Sequence, residues 1–337
     1  MLRWRPKLKK LHEQTIVITG ASSGIGLATA KLAARRGARV VLSSRNETDL
    51  RRVTAEINAA GGRVIFAVAD VADTAAVESI AAAAVAAFGR IDTWVNNAGI
   101  SIFGRLTDVP MEDKKRLFDV NFWGVVNGCR TAVRHMRETG GTIINVGSVV
   151  SDQPVPLQGI YSASKHAVQG YTDALRMELE HDRLPIAVSL VKPSAIDTPY
   201  LDHARNYMEA APSFPPPVYA PEVVARAIVR CAARPVREIT VGGGGRLMTL
   251  MGAVAPRMTD KYMESAMFEQ QKDYDRPSRT MDSLYEPARD GEVTGPYGGH
   301  VRKSSAYTRA AMSSAGRVLP WVAAAAVFAA GVRRWQT

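Results

Sequence analysis

Short apolar runs alternate with longer stretches in which apolar residues recur every three or four positions. Ile16 to Thr19 is β-branched and reads as a buried strand, followed by an Ala-rich helical stretch that stops at Gly37. Val40 to Leu42 reads as a second strand, and Leu50, Val53 and Ile57 mark a helix closed by Gly61 and Gly62. Val64 to Val68 is a third strand; Val77, Ile80, Ala84 and Phe88 mark a helix closed by Gly89; Thr93 to Val95 is a fourth strand. Further on, Ile186 to Lys192 reads as another strand. Pro221 opens a helix carrying Val223, Val224, Ala227 and Ile228, and Glu238 to Val241 is the last strand, closed by Gly242 to Gly245. Buried strands alternating with helices of this length argue for an α/β fold with a parallel sheet covered on both faces. Right-handed crossovers then put the strand ends along one rim, where ligands bind.

The residues at that rim carry the functional weight. After the first strand comes TGASSGIG, Thr19 to Gly26, a glycine turn leading into a helix, which presents backbone N–H groups to a pyrophosphate. Gly20 permits the tight turn, and Gly24 and Gly26 remove side chains where ligand and neighbouring strand approach. Ser43, Ser44, Arg45 and Asn46 follow the second strand, Asp70 and Val71 the third, and Asn96, Asn97, Ala98 and Gly99 the fourth. An acid after the second strand would take the ribose 2′-OH of NAD. Here Ser44 precedes Arg45, whose fixed charge suits a 2′-phosphate and favours NADP(H); the alternative is an Arg45 turned to solvent. In YSASK, Tyr161 and Lys165 share one helix face, and the ammonium would lower the phenol pKa from about 10 towards working pH. In isolation the pair reads rather as a surface tyrosine and a solvated lysine, and only the rest of the chain can overturn that.

Composition narrows the classes. The 337 residues are 46% hydrophobic and 22% charged, an ordinary globular balance. A net charge of +11 would suit nucleic acid, an anionic surface or a phosphorylated ligand, but aromatics are only 7% and form no platform for stacking bases, so no nucleic acid is expected. Cys129 and Cys231 read as buried thiols of a reducing cytosol rather than a disulfide. The six histidines show no ligand spacing, so no metal is expected. No apolar stretch of the kind found in secretory signals follows the basic N-terminus, and the catalytic domain is expected in the cytoplasm.

TGASSGIG, NNAG (Asn96 to Gly99), Asn121 in FDVNFWG, Ser148 in NVGS, YSASK, and KPSAIDTP (Lys192 to Pro199) stand in an order and spacing that resemble the short-chain dehydrogenase/reductase family across roughly residues 14 to 241. The resemblance implies a Rossmann-type doubly wound parallel sheet of about seven strands. It implies Tyr161 as general acid/base, Lys165 lowering its pKa and holding the nicotinamide ribose, Ser148 bonding the substrate oxygen, and Asn121 holding a water that links Lys165 to solvent. It implies cofactor contacts from Gly20, Ser22, Ser23, Gly24, Ile25, Gly26, Ser44, Arg45, Asn46, Asp70, Val71, Asn97, Ala98, Gly99, Tyr161, Lys165, Pro193, Ile196 and Thr198. A homodimer or homotetramer through the helices of Asn121 and Tyr161 follows from the same resemblance. One departure is Ser194, where the family has glycine after Pro193. The activity implied is hydride transfer between NADP(H) and a carbonyl or secondary alcohol; the alternative is a membrane-associated nucleotide-sensing module with little turnover.

Residues 1–13 read as a basic N-terminal segment and 14–245 as the catalytic domain. The loop Val149 to Ile160 is expected to line the substrate site, with Phe103 on the opposite wall. Tyr200 to Ala220, with Pro212, Pro215, Pro216 and Pro217, cannot be a continuous helix; the resemblance implies a mobile lid over the substrate there, the alternative being a plain connecting loop. Beyond it, residues 246–272 read as a Met-rich helical extension, helical from Arg246 to Met267; 273–305 reads as a linker or disordered segment, and 306–337 as a C-terminal apolar helix. Val318 to Val332 would span about 22 Å as a helix, against about 30 Å for a hydrocarbon core. It reads as a marginal membrane anchor, an interfacial helix held by Trp321, Trp335 and arginines, or a helix docked on protein, with membrane association of residues 318–335 favoured and a lipophilic substrate its corollary.

Overall fold

The computed structural model describes residues 6–277, 282–288, 291–295 and 297–313. Its centre is a seven-stranded sheet: β1 (Thr15–Thr19), β2 (Arg39–Ser44), β3 (Arg63–Val68), β4 (Thr93–Asn96), β5 (Gly141–Val146), β6 (Ile186–Pro193) and β7 (Glu238–Val241). All neighbours pair in parallel, in the order β7-β6-β5-β4-β1-β2-β3. Val17 lies between Val41 of β2 and Trp94 of β4. The chain builds outward from β1 on one side and then returns to its other side, so the topological switch falls between β1 and β4, where an open α/β sheet forms its ligand crevice.

Alternate residues of each strand face opposite layers, which is why no strand shows a polar face. Ile16, Ile18, Val40 and Leu42 pack under helices α1 (Gly24–Arg35), α2 (Glu47–Ala59) and α8 (Pro221–Ala233). Val17, Val41, Trp94 and Ile143 pack under α3 (Thr74–Phe88), α5 (Gly124–Met136) and α6 (Gly159–His181). Each such aliphatic side chain, fully removed from water, contributes about 1.5–3 kcal/mol. Local signals set the helix ends. Asp73 accepts the Ala75 and Ala76 N–H groups to start α3, and Gly89, in the left-handed region, stops it.

Short elements complete the chain's path around the rim: α4 (Met111–Phe118), α7 (Tyr200–His203) and, between α7 and α8, the two-residue strands Arg205–Asn206, Ala211–Pro212 and Val218–Tyr219. The proline-rich stretch expected as a lid folds as α7 and short bridges, with no continuous helix.

The Met-rich stretch is not one helix from Arg246 to Met267. Pro256 cannot continue the hydrogen-bond ladder, and Ala255 turns to φ −136°, so α9 (Gly243–Val254) and α10 (Pro256–Tyr262) are separate, with a widened turn over Met263–Met267. Met263 and Met267 bury against Val149, Val150 and Val155, whereas Met258 is 73% exposed. Where it is described, the 273–305 stretch lies across the rim of the sheet. Leu284 is buried, and Val301–Arg302 pairs in parallel with Val218–Tyr219. No helix among the described residues is long and apolar enough to cross a membrane. The apolar run 318–332 and Trp335 lie outside the described residues.

Candidate active site

The glycine loop is held by the β4 end. Asn97 donates from its side chain to the Thr19 and Gly20 carbonyls (3.0 and 2.9 Å), and the Asn97 and Ala98 N–H groups donate to the Thr19 hydroxyl (3.1 and 3.2 Å). Gly20 has φ +62°, and a Cβ there would sit 2.7 Å from the Ala98 Cα. A Cβ on Gly26 would sit 2.0 Å from the Gly20 carbonyl oxygen. Glycine is therefore a steric requirement at both places, and the loop stays low enough to admit a phosphate group above α1.

Along this loop runs a cavity of about 200 Å³ lined by Gly20, Ser22, Ser23, Gly24, Ile25, Ser44, Arg45, Asn46, Asp70, Val71, Asn97, Ala98 and Gly99, with Thr198 closing one end. The cofactor contacts expected after β1, β2, β3 and β4 thus line one groove, with the exception of Gly26. Gly26 lies beneath the loop rather than in the groove. Asp70 accepts the Ala72 N–H (3.0 Å) and the Arg116 guanidinium (2.5 Å). Burial pushes the Asp70 carboxyl up, but those two donors and nearby Arg45 outweigh it and hold its pKa below the ordinary value. Asn46 has a second task, since its side chain caps α2 by accepting the Asp49 N–H (3.0 Å).

A second, larger cavity of about 300 Å³ meets the first at Ile25, Asn97, Gly99 and Thr198. Tyr161, Lys165 and Ser148 stand at its head, with Pro193, Ser194 and Ile196 on the β6 side. Tyr161 and Lys165 occupy successive turns of α6, and the Lys165 Nζ lies 5.6 Å from the Tyr161 ring centroid. The Lys165 Nζ donates to the Val146 carbonyl (3.0 Å). Ser148 follows β5, its hydroxyl accepting the Val150 N–H (3.2 Å). Asn121 sits in a widened five-residue turn, Asp119–Trp123, between α4 and α5. Its side chain clasps the Ile100 backbone at 2.8 and 3.0 Å and donates to Ser164 Oγ (3.2 Å). A Cβ on Gly99 would lie 3.4 Å from the Asn121 Oδ1 and 3.7 Å from the Lys165 Nζ, so Gly99 keeps that corner open.

The electrostatic balance differs from the expected lowering of the phenol pKa by its lysine. Burial pushes Tyr161 up to about 12, against the opposing pull of hydrogen bonds with Tyr200 and Ser148. The same burial pushes Lys165 down to about 8, which weakens it as a permanent positive charge. Burial thus favours the protonated phenol of Tyr161.

Phe103 does not wall the cavity. It is fully buried behind Tyr200, packing edge-on to that ring at 6.4 Å with Leu201 and Ala204. Tyr200 takes the wall position, its ring 5.6 Å from Tyr161 and stacked on Phe214 at 5.8 Å. The Tyr200 hydroxyl lies 2.7 Å from Ser101 Oγ and 3.2 Å from the Gln158 Oε1. Gln158 follows Leu157, whose φ of +63° is unusual for leucine, and donates to Gln271 (2.7 Å). Gln158 and Tyr200 fall within the two stretches expected at the substrate site, though the sequence singles out neither; Gln271 was not foreseen. Tyr200 directly follows KPSAIDTP and was readable from that position; the glutamines have no motif. The loop after Ser148 lines this cavity through Val149, Val150, Val155 and Gln158, and Phe214 to Pro217 face it from the proline-rich stretch. Met248, Tyr262 and Met267 add a wall from the extension. Among the described residues, no group of three or more His, Cys, Asp or Glu side chains is placed to hold a metal ion.

The short chain dehydrogenase family model matches residues 14–209. The chain is 43% identical over 339 residues to the uncharacterized oxidoreductase YxnA of Bacillus subtilis (strain 168), covering 99% of this chain and 93% of that relative. It is 36% identical over 200 residues to the 3-ketodihydrosphingosine reductase of Bacteroides thetaiotaomicron, covering 59% of this chain and 70% of that enzyme. Among solved structures, a short chain dehydrogenase/reductase from Burkholderia phymatum in complex with NAD superposes with a TM-score of 0.63 at 27% identity, over 83% of this chain and 100% of that one. An alcohol dehydrogenase from the archaeon Thermococcus sibiricus, complexed with 5-hydroxy-NADP, gives 0.59 at 26% identity, over 67% and 95%. The protein belongs to the short-chain dehydrogenase family and is an oxidoreductase of that family.

Proposed function

We propose that the protein interconverts a lipophilic carbonyl compound and its secondary alcohol, using NADP(H). The observation that carries this reading is the convergence of Tyr161, Ser148 and Lys165 at the head of a cavity in which Lys165 is the only charged lining side chain among the described residues. Such a cavity disfavours a charged substrate group, and its Val, Pro, Phe and Met walls favour an apolar one.

The groove and loop fit a nicotinamide dinucleotide. Gly20 and Gly26 clear the space for its pyrophosphate, and Thr198 and the Ile196 segment lie where the two cavities meet. Once bound, the cofactor supplies or accepts the hydride. Tyr161 gives its proton to the carbonyl oxygen in reduction and takes it back in oxidation. Ser148 donates to the same oxygen as charge develops on it. Lys165 holds the nicotinamide ribose, and Asn121, fixed to Ile100, keeps the corner beside Lys165 open to a water. NADP(H) is favoured over NAD(H) because the residues directly after β2 are Arg45 and Asn46 rather than an acid, and Arg45 lines the groove there.

The test is NADPH oxidation by the purified full chain over a panel of neutral ketones and aldehydes, beside Tyr161→Phe. Tyr161→Phe turnover should fall by about 10²-fold or more. Equal turnover by the variant would remove Tyr161 from the mechanism.

A further inference from the structure

Arg45 has no free end. Its two terminal nitrogens donate to the main-chain carbonyls of Ser283, Tyr285 (2.7 Å) and Glu286 (3.3 Å), all from the stretch Asp282–Ala288 of the C-terminal extension. Ser283, Pro287 and Ala288 line the adenosine groove directly. The strap is anchored elsewhere too. Asp282 pairs with Arg205, the Tyr285 hydroxyl donates to Asp113 (2.8 Å), and Leu284 is buried. Asn46 donates to the Ala288 carbonyl (2.5 Å), and the Gly24 N–H, at the start of α1, donates to the Glu292 carbonyl (2.8 Å). Two groups expected to meet cofactor phosphates, Arg45 and the N-terminus of α1, are therefore held by the chain's own carbonyls.

A guanidinium offers a planar fork, and a phosphate dianion uses that fork better than neutral carbonyls do, because both partners are charged. The carbonyls and a 2′-phosphate need the same two nitrogens. We propose that the strap and the 2′-phosphate are alternative ligands of Arg45, so that NADP(H) binds with Asp282–Ala288 displaced and NAD(H) binds with it in place. The inference rests on the NADP(H) reading above. It makes the strap a specificity element: its anchors lower the apparent affinity for NADP(H) by the fraction of molecules in which it is closed, and leave NAD(H) untouched.

Hydrogen–deuterium exchange of the full chain, with NADP⁺ and with NAD⁺ at saturation, tests this, with binding followed by calorimetry on the same samples. Amides of Asp282–Ala288 should exchange several-fold faster with NADP⁺ than with NAD⁺ or no addition. Tight NADP⁺ binding with the strap equally or better protected would overturn the proposal while leaving the cofactor reading intact. Absence of NADP⁺ binding in the calorimeter would overturn the cofactor reading itself, and this inference with it. Asp282→Ala, which loosens an anchor outside the groove, should tighten NADP⁺ by about 3–10-fold and leave NAD⁺ unchanged. An equal change for both cofactors would show a merely structural role.

Discussion

The ring of Tyr200 stands 5.6 Å from that of Tyr161, inclined at 67°, and its hydroxyl is tied to Ser101 and approaches Gln158. Tyr161, the proposed general acid, thus has an aromatic neighbour with its own hydroxyl, in a cavity that burial makes hostile to a phenolate. Tyr200 is pushed well above the ordinary tyrosine value, first by burial and then by Tyr161 itself, so it stays neutral and acts as a hydrogen-bond partner.

Removing that partner has a signed consequence. The Tyr200 hydrogen bond pulls the Tyr161 pKa down against burial. Tyr200→Phe keeps the ring and the stacking on Phe214 but loses this pull. The alkaline limb governed by Tyr161 in the oxidation direction should move upward, and oxidation at pH 8 should fall by about tenfold. A pH–rate profile with an unmoved limb would assign Tyr200 to packing alone.

Lys165 carries a stability cost with a defined pH window. Its pKa is lowered from 10.5 to about 8 by burial, so between about pH 8 and 10.5 the unfolded chain binds more protons than the folded one. Stability linked to this group therefore rises with pH through that window, and below pH 8 the full penalty of burying the ammonium is present. Lys165→Met should raise stability near pH 7 by up to about 3 kcal/mol while abolishing turnover. In urea melts its advantage over the natural protein should shrink between pH 8 and 10. A constant difference across that range would mean the lysine is not the titrating group.

How far the sequence reached depended on whether position along the chain implied position in space. The strands were legible because Val17, Val41 and Trp94 lie in all-apolar runs, and a parallel sheet covered on both faces leaves no other pattern. The groove was legible because Gly20, Asp70 and Asn97 lie within two residues of strand ends, and strand ends share one rim. The phenol–lysine electrostatics were misread because desolvation depends on what covers the site, and Tyr200, Phe214 and the extension are far from Tyr161 in sequence. Gln158 and Gln271 meet across 113 positions by a hydrogen bond between two neutral amides, which no periodicity or motif signals.

The glycine loop allows a paired test. At Gly26 a Cβ would be driven into the Gly20 carbonyl at 2.0 Å and the Asn97 amide at 2.7 Å. Gly26→Ala should destabilise by about 3 kcal/mol and weaken cofactor binding, because both contacts are backbone or fixed side chain in a packed interior. At Gly89, φ is +80° but nothing lies within 4 Å of a Cβ, so Gly89→Ala should cost only the left-handed backbone strain, about 1 kcal/mol, with cofactor binding unchanged. Calorimetric unfolding with cofactor titration separates the two; similar losses at both sites would show that steric crowding in the loop is not what glycine relieves.

Met258 and Met267 test whether the extension is part of the active site. They lie nine positions apart, yet Met258 is 73% exposed on α10 and Met267 only 5% exposed, lining the larger cavity against Val149, Val150 and Val155. Met258→Ala removes little buried area and should change stability by no more than about 0.5 kcal/mol. Met267→Ala leaves a void beside the loop that carries Ser148, and should cost about 2–4 kcal/mol. The substrate readout is the more telling one. If Met267 contacts the apolar part of the substrate, the variant should raise KM for long-chain ketones more than for short ones, with kcat changed less. A parallel rise for both chain lengths would place Met267 in the scaffold beneath Val149 rather than in the binding wall.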